Sequence, residues 1–175
     1  HVSGVIPRRQ SLLLQTPALE VHCGGAEANV GVSLAHFGHD VAMVSVIADN
    51  PLGTAVTGEL RKHGVDTSRV HRSEGRMGLY FLTTGAGHRP SEVVYDRADS
   101  AFATARAAGY DWPALLQGAR WLHLSGVSPA LGAEAAQATL DAARAACALG
   151  IKVSFDGNFR PKLWERWGGD AQAIL

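Results

Sequence analysis

Four stretches of this sequence carry residue types that could do chemistry on a small ligand. The first is Gly24-Gly25-Ala26-Glu27-Ala28-Asn29. Two glycines between a strand and a helix let a ligand approach the backbone, and the first helical turn exposes N–H groups. Asn29 lies one turn in, where its amide can both donate to and accept from a hydroxyl, which suits a polyol. A plain tight turn with Asn29 on the surface would account for the same residues. The spacing is not the G-x-G-x-x-G dinucleotide fingerprint, and no Walker A sequence occurs anywhere.

The second stretch pairs Gly78-Leu79-Tyr80-Phe81 with Val93-Val94-Tyr95-Asp96-Arg97. Tyr80 and Tyr95 on a flap could close over a ring, each offering an apolar face and a hydroxyl. Arg97 could hold a carboxylate through two parallel hydrogen bonds. Read alone, these residues are also ordinary strand composition. The third is Ser154-Phe155-Asp156-Gly157-Asn158-Phe159-Arg160-Pro161. Polar groups emerge there at the carboxyl end of an apolar strand, the edge where open α/β sheets bind ligands. Asp156, Asn158 and Arg160 alternate, so an extended backbone would point them one way. The fourth is Trp121-Leu122-His123-Leu124-Ser125-Gly126-Val127, a strand ending at the same kind of edge. A nucleophile elbow needs G-x-S-x-G, and His123 breaks it. His123 reads as a packed, hydrogen-bonded strand residue.

The elements that must position these groups alternate. Leu12–Leu14 and Leu19–Cys23 read as short strands, and Ala26 to Phe37 as a helix with Ala28, Val32 and Ala35 on one face and Gly38 as its stop. Val41 to Ala48 is a continuous apolar strand of the buried, parallel kind. Asp49-Asn50-Pro51 caps a helix that Gly64 ends. Met77–Thr84 and Glu92–Tyr95 form a hairpin across Gly85–Pro90, a small β flap that the strands at 11–23 could join. Asp111-Trp112-Pro113 opens a short helix. Trp121–Ser125, an Ala-rich helix over 131–149 and Ile151–Phe155 form a βαβ unit with parallel strands. The fold class is therefore α/β with a β insertion.

Composition narrows the function classes. The chain has 175 residues, 46% hydrophobic and 18% charged, with Lys+Arg and Asp+Glu at 16 each. A balanced charge gives no field for nucleic acid or an anionic membrane, so neither partner is expected. Cys23 and Cys147 are far apart and in no CxxC pair, which predicts two buried or half-buried thiols rather than a disulfide or zinc knuckle. No histidines fall at metal-ligand spacings: His36 and His39 are three apart but lack a third ligand. No apolar run is long enough to span a bilayer, and a cytoplasmic location is expected.

These motifs, in this order, resemble the ribokinase-type carbohydrate kinases, the phosphofructokinase-B family. Gly24 to Val30 resembles its first signature. Val46 to Gly64 resembles the family's strand and helix leading to a Gly-Val-Asp turn, and Gly78 to Phe81, Tyr95 to Ala101 and Phe155 to Trp164 look like the branch acting on 2-keto-3-deoxygluconate. The resemblance covers roughly residues 17–167 and implies a ribokinase-like three-layer α/β/α sandwich with a small β-sheet lid. It implies sugar contacts from Gly24, Gly25, Asn29, Tyr80, Tyr95, Arg97, Val127 and Arg160. It places Asp156 and Asn158 near phosphate or metal. Two arginines favour a sugar acid, although fructokinases of the family also have an Asp-x-Asn-x-Arg stretch and a lid arginine. Glu27 and Leu79-Tyr80-Phe81 tip the reading toward the keto-deoxy acid. The implied reaction is transfer of the ATP γ-phosphoryl group to a sugar hydroxyl, with Mg2+. A fructose or nucleoside kinase and a non-catalytic sugar-binding module are the alternatives.

The sequence departs from the family in lacking the Gly-Ala-Gly-Asp signature that carries the catalytic base. The base and most ATP and Mg2+ contacts are expected beyond Leu175, and the chain is expected to be cut at both ends and inactive alone. No catalytic residue and no metal ligand is assigned within it. The missing strands should leave apolar surface at Val41–Ala48 and Ile151–Phe155. A homodimer paired through the lids is a further implication of the resemblance.

Overall fold

The computed structural model describes residues 3–7, 12, 13, 15 and 18–174. The chain divides into two compact units, 1–102 and 103–175.

The first unit combines a helix-flanked parallel pair with a four-stranded sheet. Strands β1 (Ser3–Pro7), β2 (Leu19–Cys23), β5 (Leu79–Thr83) and β6 (Glu92–Asp96) pair in the order β2-β1-β5-β6. β1 and β2 are antiparallel, as are β5 and β6, while β1 and β5 run parallel. The hairpin is present as β5 and β6, and β2 belongs to the same sheet through β1. β1 was not predicted. Of the predicted strand at 12–14, Leu12 has no regular structure, Leu13 sits in a turn, and Leu14 lies outside the described residues.

Helix α1 spans Ala26–His36, and Gly38 follows it at φ 82°, where glycine ends a helix without strain. β3 is shorter than predicted: only Ser45–Ala48 is a regular strand, buried throughout and parallel to β4 (Val70–Ser73). Ahead of it, Ala42 makes an isolated parallel bridge with Asp66, so 41–44 lies beside 66 without forming a ladder. Helix α2 (Pro51–Lys62) starts as its sequence dictates, with the Asn50 side chain accepting from Gly53 N at 3.1 Å and Pro51 at the first position. Its Val56 and Leu60 are buried, each worth about 1.5–3 kcal/mol of transfer free energy.

The second unit is a βαβ unit with short helices around it. Asp111 caps α3 (Trp112–Leu115) by accepting from Ala114 N at 3.2 Å. β7 (Trp121–Ser125) and β8 (Lys152–Asp156) pair in parallel, joined through α4 (Ala133–Ala148). Ala135, Ala138, Ala142 and Ala146 are buried at helical spacing, so the Ala-rich composition is a packing face. Val127, Ala130, Leu163 and Trp164 form a second core with α5 (Pro161–Glu165), and the short α6 (Ala171–Ile174) packs Ile174 against it.

Two expectations about surface need correction. Ser45–Ala48 is buried rather than exposed, whereas Phe155 on β8 is exposed as predicted. Cys147 is exposed rather than buried, because it falls on the outer side of α4; Cys23 is half-buried. Among the described residues, no helix is long and apolar enough to cross a membrane.

The packing of α2 on β3 depends on a glycine. A Cβ at Gly53 would lie 2.0 Å from the Ala48 carbonyl oxygen, whereas one at Gly58 on the same helix meets nothing within 4 Å. Gly53→Ala should therefore destabilise by about 1–3 kcal/mol or more. Gly58→Ala should stabilise by up to about 1 kcal/mol. Urea denaturation of the two variants checks this opposite sign.

Candidate functional site

In the first unit, four of the predicted residues come together around the lid. β5 and β6 pair Tyr80 directly opposite Tyr95, so both side chains leave the same face. Their rings are 6.5 Å apart and tilted by 52°. Arg97 lies one residue past the end of β6, and its side chain comes back over the same face as the tyrosines. Its guanidinium carbon lies 4.5 Å from the Tyr95 ring centroid and 6.0 Å from that of Tyr80, within cation–π range. Gly24 closes the group: a Cβ there would fall 2.8 Å from the Tyr80 hydroxyl oxygen. Glycine is required at that position if the tyrosine is to keep its place.

Gly25 and Asn29 are set by α1. Gly25 is the residue before the helix, with φ 152° and ψ 138°, a conformation other residues rarely adopt. Gly25 itself has no side chain with which to cap this end of α1. Asn29 N donates to Gly25 O at 2.9 Å, and the Asn29 side chain is exposed one turn in, as its position predicts.

A residue pair that the sequence did not single out holds the lid's base. Arg76 donates from Nη1 to Asp96 Oδ1 at 2.7 Å, from Nη2 to Oδ2, and from Nη2 to the Asp96 carbonyl oxygen at 3.2 Å. The two residues are twenty apart in sequence, and no spacing rule links them. The hydrogen bonds from Arg76 hold the Asp96 carboxyl below the usual carboxylate range, and its charge adds to the effect. The same bonds raise the Arg76 guanidinium. Burial pushes the Cys23 thiol up, which keeps it protonated and unreactive near neutral pH.

In the second unit, the predicted residues sit at the carboxyl ends of β7 and β8. Asn158 Nδ2 donates to Ser125 Oγ at 3.2 Å, and Asn158 N donates to Asp156 Oδ1 at 3.1 Å. The expected alternation of Asp156, Asn158 and Arg160 fails, because Asn158 has φ 30° and the chain turns instead of staying extended. The Asp156 carboxylate stabilises that turn by accepting from the backbone two residues on. Asp156 and Arg160 are exposed and Asn158 half-buried; Arg160 Nη1 donates to Phe159 O at 3.1 Å. Val127 is a core residue beside Leu163 and Trp164, and its backbone N donates to Ser125 Oγ at 3.4 Å. Ser125, 1% exposed, is thus the hub of this strand end. Its place at the end of an apolar strand was the available signal. His123 is the predicted hydrogen-bonded strand residue, 3.2 Å from Ser154 Oγ on the paired strand.

The Arg76–Asp96 pair has a pH signature. Because the folded state lowers the Asp96 pKa, its stabilising effect is complete above the unfolded value of about 3.9 and disappears as pH falls through the lower folded value. Asp96→Asn should lower Tm at pH 7 slightly, and the wild-type and variant Tm values should converge below about pH 4. Thermal melts from pH 7 to pH 2.5 read this.

Comparison with known proteins agrees with this architecture. The family model for pfkB family carbohydrate kinases matches residues 4–174. A 2-dehydro-3-deoxygalactonokinase of Haloferax volcanii is 37% identical over 147 residues, which is 84% of this chain and 46% of that protein. A fructokinase of Salmonella typhimurium is 30% identical over 175 residues, 94% of this chain and 50% of that protein. The crystal structure of 2-dehydro-3-deoxygluconokinase from Thermotoga maritima matches with a TM-score of 0.90 at 45% identity, covering 93% of this chain and 50% of that one. The chain spans about half the length of these relatives. Its fold class is the ribokinase-like α/β expected from the sequence. With the model matched across nearly its whole length, the chain belongs to the pfkB family of carbohydrate kinases.

Proposed function

We propose that the protein containing this chain transfers the γ-phosphoryl group of ATP to a hydroxyl of a sugar acid, with 2-keto-3-deoxygluconate as the preferred substrate. The observation that carries the acid is Arg97, whose guanidinium stacks over Tyr95 on the lid face that also carries Tyr80, against Gly24. A planar cation beside two aromatic hydroxyls suits a carboxylate on a polyol better than a neutral sugar. The names of two similar proteins, a 2-dehydro-3-deoxygalactonokinase and a 2-dehydro-3-deoxygluconokinase, support the same class.

Roles follow residue by residue. Gly24 and Gly25 let the sugar reach the backbone, and Asn29 offers its amide to a hydroxyl. Tyr80 and Tyr95 cover the ring from the lid. In the second unit, Arg160 is proposed as a further carboxylate ligand and Asp156 and Asn158 as groups near phosphate. Val127 can contribute only through its backbone, since its side chain is committed to the core.

Phosphoryl transfer leaves little covalent work to the protein, so positioning of this kind is a true catalytic contribution. When bound, Mg2+ would neutralise charge on the transferring phosphates. Among the described residues, no three His, Cys, Asp or Glu side chains gather to hold a metal ion. Asp156 is proposed to supply one oxygen donor group toward the phosphates and their metal.

The second reading is a fructokinase, favoured by the Salmonella typhimurium relative. A coupled kinase assay on the full-length gene product separates the two. A kcat/KM preference for the acid over fructose of ~100-fold is expected, about 2.7 kcal/mol of transition-state discrimination. Arg97→Leu should reduce kcat/KM for the acid by about 10–100-fold, the worth of a charge-assisted pair, and leave fructose nearly unchanged. A preference for fructose in the wild type would remove the carboxylate role from Arg97.

The lid's other face supports self-association. Val21, Phe81 and Val94 occupy one row across the sheet through the β1 register, and Val21 and Val94 are 61% and 48% exposed. We infer that this apolar row pairs with a second copy. Val21→Asp with Val94→Asp should convert the protein to a monomer in sedimentation velocity runs, whereas an unchanged mass would rule out lid pairing.

A further inference from the structure

Arg97 has acidic neighbours in sequence on both sides, in the run Asp96-Arg97-Ala98-Asp99. An arginine meant for an anion is weakened by such neighbours, since each carboxylate competes for the guanidinium and repels the incoming charge. The fold meets this conflict with a second arginine. Arg76 engages both Asp96 side-chain oxygens and its carbonyl oxygen with one guanidinium. Asp99 also acts on Arg76 through its charge. Asp99 itself turns away from regular strand geometry with φ 53°.

Arg76 is well placed for this. Its own carbonyl oxygen accepts from Ala101 N at 2.9 Å, and it bridges Ser100, so its backbone is bound to the segment just after Arg97. The next residue, Met77, is 5% exposed and accepts from Ala48 N at 3.3 Å, which anchors the segment to the end of β3. Gly78 completes the crossing: a Cβ there would lie 3.3 Å from Ser100 Oγ and 3.6 Å from Arg97 Cγ. Asp96 and Arg97 are consecutive, so their side chains leave opposite faces of the strand. Arg76 takes the carboxylate on one face while Arg97 stacks with Tyr95 on the other.

We propose that Arg76 is a positioning and charge-balancing residue that, by holding the Asp96 carboxylate in a two-pronged ion pair, keeps Arg97 competent for the carboxylate of an acidic sugar. This rests on the proposed acid-sugar function. It adds to it a specificity-determining residue outside the substrate contacts.

The test is a charge-rescue cycle in the full-length gene product, with 2-keto-3-deoxygluconate and fructose as substrates. Arg76→Gln leaves the Asp96 carboxylate unpaired and free to reach round toward the adjacent Arg97, so KM for the acid should rise about tenfold or more. The kcat value and both constants for fructose should stay within about twofold. Adding Asp96→Asn to that variant removes the competing charge, and KM for the acid should return to within about threefold of wild type. Asp96→Asn alone, which does not depend on Arg76→Gln folding, should leave KM for the acid within about twofold. An Asp96→Asn variant that loses acid affinity as far as Arg76→Gln, or a double variant that shows no rescue, would overturn the inference while leaving a wild-type preference for the acid intact. A wild type with no preference for the acid would instead remove the reading beneath it.

Discussion

The first unit depends on how tightly the chain packs at the end of β3. Ala48 is completely buried, and each of its backbone groups has a structural use. Its N–H donates to Met77 Sδ, and its carbonyl accepts from Asn50 N at 3.0 Å. The same oxygen lies so close to α2 that only glycine fits at position 53. A strand buried on both sides must satisfy its polar groups internally, and here that requirement fixes three things at once. It fixes the start of α2 through Asn50, the depth of α2 through Gly53, and the entry to the lid through Met77.

From that anchor the lid inherits its geometry. Met77 is flanked by Arg76 and Gly78, and each makes a contact with the segment 96–101 that a different residue type would lose. The hairpin then sets Tyr80 against Tyr95 by register alone. Stacking brings Arg97 over the two rings, at distances where cation–π attraction is worth about 0.5–2 kcal/mol. The cation is thus oriented by the two rings, while the acid next to it is engaged by Arg76. Opposite charges are thus divided between the two faces of one strand, in a sequence with as many acids as bases.

The second unit uses a different device. Small side chains on α4 bring the helix close to its surroundings, and buried alanines rather than large apolar residues line that face. The polar groups at the strand ends are arranged by one buried hydroxyl, Ser125, which accepts from Asn158 and faces the Val127 amide. A buried hydroxyl without partners costs free energy, so Ser125 draws the 156–158 turn toward the end of β7. The positive φ at Asn158 is tolerated because asparagine adopts that conformation more readily than most residues.

The sequence by itself determined the elements whose cause is local. Asn50-Pro51 starts α2 and Gly38 and Gly64 stop their helices because capping and left-handed φ are properties of those residues alone. The hairpin at 79–96 and the βαβ unit at 121–156 follow from apolar runs separated by turn residues. The two tyrosines and Arg97 were legible as candidates because they fall in two short runs of strand composition, whereas their shared face came from the β5–β6 register and the fold of the chain past β6. Only the tertiary structure decided what depends on distant partners. β1 carries Gly4 and Pro7 and has no strand signature, and it forms a strand because β2 and β5 pair with it from either side. The turn at Asn158 replaces an extended run because Ser125, thirty-three residues earlier, supplies the acceptor. Arg76 meets Asp96 because the lid folds back over its own entry. Local residue chemistry fixes where an element begins and ends, whereas the partner of a buried or charged group is fixed only by which surfaces the fold brings into contact.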